Sequence, residues 1–87
     1  MTVRFLSSFE KDLYKVSPAI RHKVVDLVTQ IETVSSIREV SQVKKLRGFK
    51  EAYRVRIGDF RLGFLLQGGT VTFVRLLDRK SIYRVFP

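Results

Sequence analysis

The fold is decided by residues 53–62, which read Tyr53-Arg54-Val55-Arg56-Ile57-Gly58-Asp59-Phe60-Arg61-Leu62. Apolar and basic residues alternate on both sides of the Gly-Asp dipeptide, and a period of two is typical of a half-buried β-strand. Gly-Asp between two such runs is a strong signal for a two-residue hairpin loop. The stretch therefore predicts a β-hairpin with one apolar face and one basic face.

A two-residue loop in this hairpin sets its register. Arg56 then faces Arg61, and Arg54 lies beside Gly63 on the same basic face, while the apolar residues pair on the other face. Like charges that face each other across strands cost a few tenths up to ~1 kcal/mol. Nothing in the fold requires that cost, whereas a bound polyanion would make the pair favourable. We expect Gly63 to leave a shallow hollow for a nucleic-acid backbone or base.

A second hairpin is predicted at Gly68-Gly69, followed by a strand from residue 70 to about residue 77. A two-residue loop pairs Phe64 with Phe73 but also pairs Leu62 with Arg75. Either Arg75 lies at a wet edge of the apolar face, or the loop or a bulge shifts the register. The sequence leaves both alternatives open.

The N-terminal half predicts a short strand followed by two helices. Ser7 is expected to cap the first helix, with Glu10 reaching back in a capping box. Ser17-Pro18 is typical of a helix start. Apolar residues then repeat in steps of four and three at positions 20, 24, 27, 31 and 34, which indicates one buried helical face. The connector from 37 to 50 shows no clear periodicity.

Together these elements predict one α+β domain over residues 1–87. Its order is an N-terminal strand, a two-helix hairpin and an antiparallel three-strand meander, with the helices packed on one sheet face. A chain of 87 residues leaves no room for a second domain.

The composition points to an anionic partner, because 17 Lys and Arg oppose 8 Asp and Glu for a net charge of +9. Nucleic acid is favoured over a membrane surface, since the charge clusters in strands and loops and no basic amphipathic helix stands out. Without cysteine and with one histidine, no metal site or cofactor is expected. No apolar run approaches the ~20 residues that span a bilayer, so we expect a cytoplasmic protein.

Three segments, taken in order, resemble the RelE/ParE toxin superfamily. They are Lys45-Leu46-Arg47-Gly48, the hairpin 53–62, and Arg79-Lys80-Ser81-Ile82-Tyr83-Arg84. The resemblance covers nearly the whole chain and implies a strand, two helices and three strands with a basic concave face.

RelE-like members are ribosome-dependent mRNA endonucleases that act in the ribosomal A site and are neutralised by an antitoxin. The resemblance therefore implies an endoribonuclease toxin of a type II toxin–antitoxin system. Its implied partners are the ribosome and mRNA, an antitoxin with an acidic segment, and operator DNA only through the antitoxin complex. Two alternatives stay open: a ParE-like inhibitor of DNA gyrase, which has the same fold, and an inactive module that binds nucleic acid or the antitoxin.

The resemblance also implies roles for single residues. Arg61 matches the arginine that holds the scissile phosphate, and Arg79 resembles the C-terminal basic residue that helps the leaving group. Tyr83 matches the terminal tyrosine that stacks on or orients the base. The residues expected to line the RNA path are Lys44, Lys45, Arg47 and Lys80.

Arg54 and Arg56 match two basic positions at which RelE itself has lysines, one of them assigned as the general base. Arginine stays protonated in proteins and is therefore a poor general base. We assign both arginines to stabilising the charge of the transition state. The base is then expected to be Lys45, Lys80, Tyr83 or a group of the ribosomal RNA.

Overall fold

The computed structural model describes residues 1–87 as one mixed sheet with three helices. The elements in chain order are β1 (Thr2–Phe5), α1 (Ser7–Lys15), α2 (Pro18–Thr33), β2 (Val43–Lys45), β3 (Ala52–Ile57), β4 (Phe60–Gln67), β5 (Thr70–Asp78) and α3 (Arg79–Val85), with a short 3-10 helix at Ile37–Glu39. The strand order is β1-β5-β4-β3-β2. The pair β1–β5 is parallel and the other pairs are antiparallel. The α+β class is confirmed, and the predicted meander is β3-β4-β5.

Two elements extend the predicted description. Strand β2, which pairs with β3, lies inside the connector that showed no periodicity. It was not predicted because three residues are too few to display alternation. Helix α3 was not predicted and lies on the sheet face opposite α1 and α2. The expectation that the two predicted helices pack on one sheet face is confirmed. Helices α1 and α2 therefore cover one face of the sheet, and α3 covers part of the other face.

The main hydrophobic core lies between the sheet and helices α1 and α2. Its least exposed members, at 1% or less, are Phe9, Ile31, Leu62, Phe64, Val71, Phe73 and Leu76. The predicted apolar face of α2 is confirmed, since its buried residues lie at positions 24, 27 and 31.

The two predicted helix caps have different outcomes. The Ser17 hydroxyl oxygen accepts a hydrogen bond from the Ile20 amide at 3.3 Å, so the cap of α2 is confirmed. The capping box at Ser7 was wrong, because Ser7 is already helical and Leu6 precedes α1 without a side-chain cap. The neighbouring Ser8 hydroxyl instead donates to the Val74 carbonyl oxygen at 2.6 Å, which ties α1 to β5.

The first hairpin has the predicted register, with Arg56 opposite Arg61 and Arg54 opposite Gly63. Gly58 opens its turn at φ 58°, a left-handed conformation that glycine adopts without steric cost. The side chains of the hairpin are thereby sorted as expected: those at 55, 57, 62 and 64 join the main core.

In the second hairpin, a bulge resolves the open alternatives. The register shifts between Gly63 and Phe64, so that Leu62 pairs with Leu76 and Gly63 pairs with Arg75. At the bulge, the buried Asp12 carboxylate of α1 satisfies the hydrogen-bond donors of two β5 residues. It accepts hydrogen bonds from Arg75 at 2.8 and 3.1 Å and from the Leu76 amide at 2.9 Å.

The opposite face of the sheet carries a second, smaller hydrophobic cluster beneath α3. Its members are Leu46, Ala52, Ile82 and Phe86. The Phe86 ring lies directly on Gly63, where an added Cβ would come within 2.5 Å of ring carbon Cδ2. The expected open hollow at Gly63 was therefore wrong, because a side chain of the same protein fills it. This close approach holds α3 against β4.

Candidate nucleic-acid interface

A cleft with a volume of about 290 Å³ lies where β2, β3, β4 and α3 meet, and we refer to it as the basic cleft. Its lining residues are Gln42, Lys44, Arg54, Arg56, Arg61, Arg79 and Tyr83. All five side chains that were predicted to be catalytic thus lie together, and one of the four predicted RNA-path residues, Lys44, joins them.

Strand register brings four of the cations together. Lys44 of β2 faces Arg54 of β3, and Arg56 of β3 faces Arg61 of β4. Both pairs project on the sheet face opposite the main core, because neighbouring residues of a strand point to opposite faces. Two pairs of like-charged residues, each facing across neighbouring strands, therefore lie next to each other on this face.

Helix α3 adds Arg79 and Tyr83 to the cleft. Its N-cap is Asp78, whose carboxylate accepts hydrogen bonds from the Ser81 amide at 2.9 Å and from the Ser81 hydroxyl at 2.8 Å. These bonds lower the pKa of Asp78 from its usual value. Arg79 and Tyr83 are four residues apart and so lie on one side of the helix. The cap and the Phe86 contact together position both side chains.

None of the cleft cations is neutralised by a carboxylate. The ion pairs of the molecule are Arg75–Asp12 at 2.8 Å and His22–Asp26 at 3.9 Å, and neither involves a cleft residue. Five cationic side chains without a carboxylate partner repel one another, and an external anion relieves that repulsion. The cleft is therefore electrostatically suited to a polyanion.

The Arg61 guanidinium is oriented by the turn of its own hairpin. It donates to the carbonyl oxygens of Gly58 at 3.3 Å and of Phe60 at 3.0 Å. These bonds use one of its nitrogen atoms, Nη1, so other donors of the planar group are free to bind phosphate oxygens in a fork. Arg61 is thus both positioned and available.

Tyr83 lines the cleft and is 55% exposed as a residue, which places it at the rim. The Arg54 guanidinium carbon is 4.4 Å from the ring centroid, a distance typical of a cation–π contact. Hydrogen bonding from Arg79 lowers the pKa of Tyr83, and the positive charges of Arg54 and Arg79 act in the same direction. The ring is open for stacking on one side, and its hydroxyl is more acidic than that of an ordinary tyrosine.

The other predicted RNA-path residues are placed differently. Lys80 lines a neighbouring hollow of about 400 Å³ together with Arg56, Arg61 and Arg79, so it adjoins the cleft. Lys45 pairs with Tyr53 and lines a cavity on the main-core face, so it does not reach the cleft. Lys44 and Lys45 point to opposite faces of the sheet, so this position gives no support to the roles expected of Lys45 in the RNA path or as base, which stay predictions. Arg47 is exposed in the turn after β2 and does not line the cleft.

Two features of the cleft were not predicted from the sequence, namely the presence of Gln42 in its lining and helix α3, which carries Arg79 and Tyr83. The sequence pattern Asp78-x-x-Ser81, followed by apolar residues at 82 and 86, is a helix-start signal that would have revealed α3. Gln42 lies in the irregular segment before β2, and no local pattern marks it.

The chemistry open to the cleft is that of fixed cations, a tyrosine and an amide. No group of three or more His, Cys, Asp or Glu side chains is placed to hold a metal ion. No helix has the length and apolar character needed to cross a membrane.

Comparison with known proteins identifies the family of the chain. No protein-family model matches it. Toxin RelE3 of Methanocaldococcus jannaschii is 36% identical over an 88-residue alignment that covers all of both chains. The chain belongs to the RelE toxin family. A solved RelB–RelE antitoxin–toxin complex from Methanococcus jannaschii contains a RelE-like chain at 34% identity and a TM-score of 0.84, with 97% of this chain and 99% of that one covered.

The RelE fold is also found in a more distant relative. The archaeal RelE–RelB complex from Pyrococcus horikoshii matches with a TM-score of 0.75 at 23% identity, covering 90% of this chain and 93% of that one. At this identity the match speaks to the fold alone.

Proposed function

We propose that this RelE toxin is a ribosome-dependent endoribonuclease that cleaves mRNA and thereby inhibits translation. The observation that carries the proposal is the basic cleft, which five cations without a carboxylate partner line together with an exposed tyrosine. A single-stranded RNA combines a polyanionic backbone with unstacked bases, and such a cleft complements both features.

The proposed reaction is an attack by a ribose 2′-hydroxyl on the adjacent phosphate. Negative charge grows on the phosphoryl oxygens, and fixed cationic donors aimed at that charge lower the barrier. Arg61 is proposed to hold the scissile phosphate, with Arg54 and Arg56 stabilising the transition state. Arg79 is proposed to stabilise the departing 5′-oxygen, and Tyr83 to stack on or orient a base.

The 2′-hydroxyl must also lose a proton. The position of Lys45 on the main-core face does not support a role as that base. Lys80 and Tyr83 stay candidates, as does a group of the ribosomal RNA. Lys44 joins them, because it lines the cleft and a lysine titrates where an arginine does not. The lowered pKa of Tyr83 increases the fraction of phenolate near neutral pH.

We further propose that a cognate antitoxin with an acidic segment neutralises the toxin. The net charge of +9 and the unpaired cleft support an acidic partner, and the similar solved RelE chains occur in complexes with RelB. Operator DNA would be bound only through that complex. A ribosomal substrate also implies that the toxin works in the cytoplasm.

Expression of the chain without an antitoxin tests this function. New mRNA 5′ ends, mapped by primer extension, should appear with the wild-type protein and fall by about 10²–10³-fold with Arg61→Ala. Arg4→Ala is the matched control, because Arg4 is an exposed arginine on β1 at the far edge of the sheet.

Two results would overturn the proposal. Growth arrest without new message ends would rule out the nuclease, and an accompanying DNA-damage response would point to gyrase. Undiminished cleavage by Arg61→Ala would rule out the site.

A further inference from the structure

A second cavity adjoins the basic cleft and has no role in the mechanism above. It measures about 580 Å³ and lies between α2 and the end of β3. Gln42 and Arg56 line both this cavity and the cleft, so a strand bound in one can continue into the other. Only three of its ten lining residues are hydrophobic, which makes a polar occupant the better match.

We propose that this cavity is a subsite for the base of a nucleotide next to the scissile one in the RNA, and that Gln42 reads that base. The subsite rests on the proposed function, because it assumes that RNA occupies the cleft. A volume of this size lies within the range of ordinary small-ligand pockets, roughly 300–1,000 Å³.

The lining groups match a base better than a phosphate alone. Gln30 and Gln42 carry amides that donate and accept, which suits the edge of a base. Asp26 adds a carboxylate that only accepts, which favours a base with an exocyclic amino group over uracil. Lys23 also lines the cavity and supplies a cation for the phosphate backbone of the RNA.

The backbone conformation of Gln42 allows a substitution that removes its side chain without disturbing the loop. Its φ is 65°, a left-handed conformation that costs a residue with a Cβ energy and costs glycine little. Strained backbone of this kind is found preferentially at functional sites. Its carbonyl oxygen accepts from the Arg56 amide at 3.5 Å, a bond that any residue at 42 can make. Gln42→Gly therefore removes the amide and retains the loop.

The first test compares the cleavage patterns of the wild type, Gln42→Gly and Gln67→Ala. With Gln42→Gly, the preference for the nucleotide flanking the cut should fall about fivefold or more, the discrimination typical of one side-chain–base contact. Gln67→Ala is the matched control, because Gln67 is an exposed amide on β4 that lines neither cavity. The melting temperature of Gln42→Gly should stay level or rise.

The second test does not need cleavage. Short RNA oligomers that differ at one base are titrated into ¹⁵N-labelled protein, and the side-chain amide signals of Gln42 and Gln30 are followed. Both signals should shift, and oligomers with adenine, cytosine or guanine should shift them more than those with uracil.

The two tests separate the subsite from the proposed function. If the wild type produces no message ends, the nuclease function fails and the titration alone decides the subsite. Amide signals that stay in place overturn the subsite in either case. An unchanged flanking preference in a cleaving Gln42→Gly protein also overturns it.

Discussion

The two faces of the sheet carry hydrophobic cores of very different size. The main core joins 14 buried residues between the sheet and helices α1 and α2, whereas the cluster under α3 has four. The smaller cluster supports the helix that brings Arg79 and Tyr83 into the basic cleft. We infer that folding stability resides mainly on the first face and site geometry on the second. Substitutions on the two faces should therefore separate stability from activity.

The largest effect on stability is expected in the main core. Phe73 is fully buried and packs edge-on against Phe9 and Phe5, with centroid distances of 5.2 and 5.6 Å. Phe73→Ala should cost about 3–5 kcal/mol of unfolding free energy, measured by urea titration. The exposed Phe49 offers a control, and Phe49→Ala should stay within about 0.5 kcal/mol of the wild type. Similar values for both variants would mean that the main core does not dominate stability.

The buried ion pair on the main-core side should come next. Asp12→Ala leaves the Leu76 amide and Arg75 without their shared acceptor, so a loss of about 3 kcal/mol is expected. Glu10→Ala, an exposed acidic position on the same helix, should change the unfolding free energy by less than about 0.5 kcal/mol. A near-neutral Asp12→Ala would show that the bulge in β5 does not depend on this carboxylate.

Under α3, activity should change more than stability. Gly63→Ala places a methyl group within 2.5 Å of the Phe86 ring, so α3 must move and carry Arg79 and Tyr83 with it. We expect about 10²-fold less mRNA cleavage, because a shift of ~1 Å in positioning has effects of that size. The cost in stability should be about 1–3 kcal/mol.

Gly69→Ala is the control for this substitution, since an added Cβ there meets nothing within 4 Å. Its cleavage rate should equal that of the wild type. If Gly63→Ala lowers stability by more than Phe73→Ala while cleavage persists, the proposed division between the faces is reversed.

The smallest expected effect is a pH dependence of α3. Because the folded-state pKa of Asp78 is lowered, its contribution to stability is present above the unfolded pKa of about 3.9 and is lost as pH falls through the folded value. Acidification below about pH 4 should therefore loosen α3, seen as a change in the NMR signals of Tyr83.

Two variants at the cap sharpen this test. Asp78→Asn keeps a side chain that caps well but does not titrate in this range, so the acid-dependent change should shrink. Asp78→Ala should show a loosened α3 at neutral pH as well. A wild-type acid response that persists unchanged in Asp78→Asn would assign it to other carboxyl groups.

Local sequence patterns were sufficient to predict the first hairpin and the buried face of α2. Alternation around Gly58-Asp59 was enough to predict the hairpin register and the opposed Arg56–Arg61 pair, because period and turn length together assign each side chain to a face. The spacing of the apolar residues in α2 likewise predicted its buried side. These patterns involve residues close in the chain, and their physical consequences are local.

Two features of the cleft follow from the folded chain alone, namely its boundary at α3 and the cavity that adjoins it. The Phe86 ring covers Gly63 from 23 positions away, and Asp12 meets Arg75 across 63 positions. Gln42 lines two cavities because an irregular loop passes between α2 and β3. Such contacts depend on packing between distant segments, so no local period records them. The basic face was therefore predictable from the sequence, whereas the shape of its cleft was not.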